Sequence, residues 1–208
     1  DYANSSALWE VWRAGRDWYP FVLLGIPALF LLGIFVLPGA PASFQSRPPI
    51  FLLVSYVITF VVIFFVGGPL GEEIGWRGFA LPRMQARYGP LWGTLFLGAL
   101  WTGWHFPHFL TSAQRGGPGA GFAPFLINLP IFFLMVMALA IIFTWVFNHT
   151  RESVFIAILL HASINTLGVV VSPLFPAPIA TDTDLVMLIG VGAAALLILV
   201  LTRGRLGY

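Results

Sequence analysis

Apolar residues run along this chain in long blocks, and charged residues are confined to the block ends and to one intervening segment. Six blocks approach or reach the ~20 helical residues that a hydrocarbon core requires. They are Tyr19 to Leu37, Ile50 to Gly67, Pro90 to Leu110, Pro124 to Phe147, Ser153 to Phe175 and Leu185 to Thr202. A helix apolar on every side has no face to offer water, so these blocks predict helices that meet lipid or other helices. The expected fold is all-α: a polytopic transmembrane bundle of about six membrane helices. No internal repeat and no soluble stretch divides it, which makes residues 1–208 a single integral membrane domain. A Gly/Pro-rich stretch from Gln114 to Gly121 reads as a mobile loop.

The intervening segment, Pro69 to Tyr88, permits a helix yet carries Glu72, Glu73, Arg77, Arg83 and Arg87. It reads as a re-entrant helix, an interfacial helix, or a continuation of the second membrane helix past a kink at Gly67-Gly68-Pro69.

Composition narrows the function classes. Hydrophobic residues make up 59% of the chain, charged residues only 9%, and the mean hydropathy is +0.91. A soluble domain averages about 25% charged residues, so a bilayer is the expected solvent. Cysteine is absent, which removes disulfides, thiolate metal sites and a cysteine nucleophile. The basic residues are all Arg, scattered singly at block ends, and form no stripe that would bind nucleic acid. With both termini cytoplasmic, Arg13, Arg16, Arg77, Arg83, Arg87, Arg151, Arg203 and Arg205 lie inside, and only Arg47 and Arg115 outside. Asp182 and Asp184 then fall in an outer loop. The chain begins at Asp1 without Met or a signal-peptide pattern, so further upstream residues and helices are expected.

Few ionisable residues are left inside the apolar blocks, where each is costly enough to suggest a function. Glu73 and Arg77 are spaced i,i+4 and share a helix face, while Glu72 stands beside them. A division of labour follows: Arg77 holds or positions one carboxylate, and the other is free to act on water. A helix start with one salt bridge explains the same residues without any chemistry. His105 lies in the third block, in Trp101-Thr-Gly-Trp-His-Phe-Pro-His108, with His108 nearer the block end. His161 and Asn165, again i,i+4, share a face of the fifth block beside Ser163. Hydrogen-bonded helix packing accounts for each group singly; taken together they form a hydrolytic set.

Three of these motifs, in this order, resemble the type II CAAX prenyl protease and bacteriocin-processing (Abi) family of intramembrane proteases. They are Glu72-Glu73-Ile-Gly-Trp-Arg77, Trp101-Thr-Gly-Trp-His105 and His161-Ala-Ser-Ile-Asn165, within a core of about residues 68–168. Trp101 stands where the family usually has Phe. The resemblance implies that Glu72 activates the attacking water with help from His105. It places His161 and Asn165 on the oxyanion-stabilising side, with Glu73 and Arg77 in support. It also implies a metal-independent glutamate mechanism, with zinc on Glu72, His105 and His161 as the alternative.

The expected activity is thus an intramembrane endopeptidase acting on a peptide or lipidated protein substrate, in a prokaryotic cell membrane and in contact with its lipids. A non-proteolytic scaffold or bacteriocin-immunity protein is the alternative. A small transporter would show paired broken helices in two related halves, and no such symmetry is visible. The sequence carries no signal for an oligomeric state. Linear counting at 1.5 Å per residue from the cytoplasmic edge puts His161 about 12 Å deep, His105 about 22 Å deep and Glu72 near the surface. A single site therefore requires the helix carrying Glu72 to dip into the membrane.

Overall fold

A computed structural model describes residues 15–39, 41–109 and 123–208. The Gln114–Gly121 stretch and the side chains of His108, Arg115 and Asp182 lie outside the described residues. The described residues form helices α1 (Trp18–Val36), α2 (Pro49–Val66), α3 (Pro69–Gly75), α4 (Leu81–Tyr88), α5 (Pro90–Trp104), α6 (Phe106–Phe109), α7 (Ala123–His149), α8 (Val154–Val171) and α9 (Pro176–Thr202). No strand occurs among them. Among the described residues, five helices are long and apolar enough to cross a membrane: α1, α2, Asn128–His149 of α7, α8, and Asp184–Thr202 of α9.

α8 is the innermost helix, buried continuously from Ile156 to Ile164 and packed on α1, α2, α3 and α7. α2 has no buried residue, although it is apolar throughout. Side chains such as Phe51, Val57, Val61 and Phe65 point outward, as they do on a helix whose solvent is lipid. Polar glue between helices is sparse. The Ser163 hydroxyl donates to Leu23 O at 3.2 Å and meets the Tyr56 hydroxyl at 3.3 Å, joining α1, α2 and α8. Thr94 donates to Thr144 at 3.0 Å between α5 and α7.

α1 and α9 cross at two glycines. A Cβ on Gly33 would collide with Val186 O, and one on Gly190 with Leu29 O. Helices in lipid gain their contact energy from such close backbone approach. Gly190→Leu is therefore expected to cost at least about 1–3 kcal/mol, read as a lower unfolding midpoint in detergent; an unchanged midpoint would mean that the crossing carries no stability.

Two backbone breaks shape the site. α2 ends where Gly67 N–H bonds Ile63 O at 2.9 Å; Gly68 then takes φ +99, and Pro69 starts α3. The positive φ suits glycine, and proline at the first helical position loses no hydrogen bond. The Pro69–Tyr88 segment is thus a helix of its own, with a five-residue π turn at Trp76–Ala80 between α3 and α4, where Leu81 N–H reaches back to Trp76 O. π turns are rare and concentrate at functional sites.

The second break corrects the expected Pro90–Leu110 span. α5 stops after Trp104, and His105 N–H closes on Thr102 O at 3.1 Å. Pro107 is the cause, because it has no N–H for Gly103 O and its ring crowds that carbonyl. At the other end of the chain, Asp182 and Asp184 lie within α9 rather than in a loop.

Candidate active site

α3, the π turn, α5 and α8 bring the predicted residues around Trp101. Glu73 and Arg77 are both fully buried, and Arg77 Nη1 donates to Glu73 Oε1 at 2.8 Å and Oε2 at 3.0 Å. His161 Nδ1 lies 2.8 Å from Glu73 Oε1. The guanidinium stacks between two rings, 4.5 Å from the Trp101 centroid and 4.1 Å from that of Phe143. Its Nε and Nη2 have no hydrogen-bond partner among the described residues. The aromatic faces supply part of what those donors lack, since ring quadrupoles attract cations.

Glu72 points elsewhere. Its Oε2 accepts from the Trp101 indole N–H at 3.2 Å, and its side chain lines an open groove of about 640 Å³ with Gly68, Gly71, Gly75, Phe79 and Trp104. His105, His161 and Asn165 line a second cavity of about 310 Å³, walled by Trp101 and by apolar residues such as Phe132, Met135 and Leu139. The structure therefore gathers His105, His161 and Asn165 in one cavity and pairs Glu73 with Arg77 and His161. It ties Glu72 to the indole N–H of Trp101, whose ring centroid is 5.5 Å from that of His161. The depth mismatch of linear counting disappears because α3 is free of α2 after Gly68 and lays Glu73 against α8.

Two residues gain parts that sequence reasoning missed. Asp184 lines the His105–His161 cavity from α9; its apparent distance from the motifs in an outer loop had hidden it, although an acidic residue at the edge of an apolar block was a visible signal. Trp101 supplies an N–H that phenylalanine lacks. Trp101→Phe would remove that donor from the Glu72 carboxylate.

Among the described residues, no three His, Asp or Glu side chains gather closely enough to share a metal ion. Glu72 opens to the groove while His105 and His161 open to the cavity.

Fold and site together define an integral membrane protein, a helical bundle with a buried carboxylate–guanidinium–imidazole cluster beside a cavity. The family model for Rce1-like type II CAAX prenyl endopeptidases matches residues 54–167, more than half of the chain. A similar protein is the CAAX prenyl protease 2 of Methanococcus maripaludis, 31% identical over 156 residues that make up 70% of this chain and 54% of the relative. The chain belongs to the Rce1-like CAAX protease family, and spans about half the length of that curated relative.

Proposed function

We propose that this protein is an intramembrane endopeptidase in which Glu72 activates water, without a metal, to hydrolyse a peptide bond in a membrane-associated or lipidated substrate. One observation carries the reading: the two adjacent carboxylates are committed differently. Glu73 spends both oxygens on Arg77 and His161, whereas Glu72 is only partly buried, faces an open groove, and among the described residues holds a single bond to an indole N–H. A general base needs a carboxylate that water can reach and that no cation has neutralised. In this reading His105, His161 and Asn165 meet the reacting group from the cavity side.

The name of the Methanococcus relative speaks of CAAX prenyl substrates, and the open groove, lined by glycines and aromatic rings, suits an apolar chain. Both termini of this chain are assigned to the cytoplasm of a prokaryotic cell, an arrangement in which α5 crosses the membrane beside the five longer helices. Arg77 is enclosed in the site and leaves the count of orienting arginines, yet the bias towards one side remains.

The test is cleavage of matched C-terminal peptides, prenylated and unprenylated, by purified protein in detergent. Wild type is expected to cleave the lipidated peptide faster, and His105→Ala to lose about 10²-fold or more. Peptides untouched by wild type would favour the scaffold or immunity reading.

A further inference from the structure

The groove that holds Glu72 extends to both sides of that carboxylate. Gly68 and Gly71 line it on one side, and Gly75, Trp76, Phe79 and Ala80 on the other. The space over Gly71 and Gly75 is open, since a Cβ at either would meet nothing within 4 Å. Phe79 stands seven positions after Glu72, about 10 Å along the helical rise, a span that about three extended residues cover. At that end of the groove sits a cation. Arg83, one turn beyond Phe79 in α4, is folded back onto the Phe79 ring: its guanidinium carbon lies 3.8 Å from the centroid, and its Nη1 donates to Phe79 O at 2.8 Å.

An exposed arginine is ordinarily mobile, and ordering it offsets much of what an ion pair gains. Arg83 is already held by a ring face and a carbonyl, so less of that freedom is left to lose on binding. A guanidinium has five N–H donors and Arg83 spends one of them within the chain. Among the described residues no carboxylate pairs with it. What is left is a flat fork of donors, the shape that takes both oxygens of a carboxylate.

We infer that Arg83 binds the C-terminal carboxylate of the substrate and so sets how far from that end the chain is cut. The inference rests on the peptidase reading, which puts the scissile bond at Glu72. With the carboxylate on Arg83, the last few residues run past Phe79, Trp76 and Gly75 to Glu72, and the part before the bond, with any lipid it carries, is directed to the side of Gly68 and Gly71. The neighbouring arginines do not compete for this part. Arg77 is fully buried on Glu73 and faces no carboxylate from the groove. Arg87 shares a helix face with Arg83, but rests 5.3 Å from the Tyr88 ring, which does not line the groove. Glu72, about 10 Å from the anchored end, is near one Debye length away at 0.1 M salt, so its repulsion of a second carboxylate is weakened. A lipid phosphate has oxygens that would suit the same fork; the groove leading from the Phe79 ring to Glu72 is what favours a peptide end.

The test is binding, which does not depend on cleavage. A prenylated C-terminal peptide, dye-labelled at its other end, is made with a free carboxylate and with a carboxamide, and its Kd for Glu72→Gln protein is measured by fluorescence anisotropy in uncharged detergent. The carboxylate peptide is expected to bind about tenfold tighter than the amide, the low end for a hydrogen bond to a charged group. Adding Arg83→Gln is expected to remove that difference and Arg83→Lys to restore no more than part of it, whereas Arg87→Gln keeps it. Equal binding of the two peptides, binding of neither, or a difference that survives Arg83→Gln overturns the inference. So does a difference that Arg87→Gln removes as fully as Arg83→Gln, which is the mark of diffuse surface charge. An Arg83-dependent gain seen only as binding of the peptide-free protein to anionic phospholipid vesicles, with equal peptide binding in detergent, assigns the fork to lipid instead. Where Arg83→Gln does not fold, the comparison of the two peptides on the Glu72→Gln protein decides alone. Failure of the peptidase reading shows separately, as wild type that distinguishes the two peptides and cuts neither.

Discussion

Glu72→Gln is expected to lower kcat for peptide cleavage by about 10²–10⁴-fold, the usual contribution of a positioned general base, and to leave thermal stability almost unchanged. Both halves follow from the geometry. Among the described residues the Glu72 carboxylate takes no ion pair, and its one hydrogen bond is accepted from the Trp101 indole, a bond that a glutamine oxygen can still accept, though without the charge. The groove beside it keeps its shape, so KM should hold while kcat falls. A Glu72→Gln protein that cleaves at the wild-type rate would remove Glu72 from the chemistry, whereas one that unfolds would give the residue a structural part that its exposure does not suggest.

Arg77→Ala is expected to act in the opposite way, through stability first. Removing one partner of a fully buried ion pair costs about 3–5 kcal/mol, because the remaining charge is left without its counterion. Here the abandoned group is the Glu73 carboxylate, which would keep only His161. The stacking of the guanidinium on Trp101 and Phe143 goes as well. Arg77→Lys retains a charge but not a flat surface to lie between two rings, so it should recover only part of the loss. Unfolding midpoints in detergent for wild type, Arg77→Ala and Arg77→Lys check this order; equal midpoints would show that the buried pair contributes nothing net to the fold.

These contrasting expectations for neighbouring motif residues show how far the chain could be read without coordinates. The i,i+4 spacing of Glu73 and Arg77 already implied a shared helix face, and the adjacent Glu72 implied a second carboxylate outside that pair. Length and apolarity marked the helices that cross a membrane. What spacing could not supply was the partner of Glu73 on another helix. His161 comes to it because α3 leaves the axis of α2 at Gly68, and a count of residues from the membrane edge assumes straight helices. The same assumption extended the third block through His105 to Leu110. Pro107, only two residues past His105, was the local signal for a break, and the break is what lets His105 Nδ1 settle on the carbonyl of Trp101.

Asp184 escaped for a related reason. Acidic residues at the start of an apolar block look like the end of a loop, and only the packing of α9 against α7 and α1 turns that end towards the histidines. Trp101 was legible as an aromatic that packs, but its indole N–H acquired a task only when α3 placed Glu72 opposite it. In both cases the side chain was visible in the sequence and its neighbour was not.

The most direct test of the central claim is cleavage of a fluorogenic peptide library by purified protein in detergent, comparing wild type with Glu72→Gln, each with and without a strong chelator. The account predicts cleavage by wild type that survives the chelator and is lost in Glu72→Gln under both conditions. Cleavage that the chelator abolishes, or that Glu72→Gln retains in full, would contradict it.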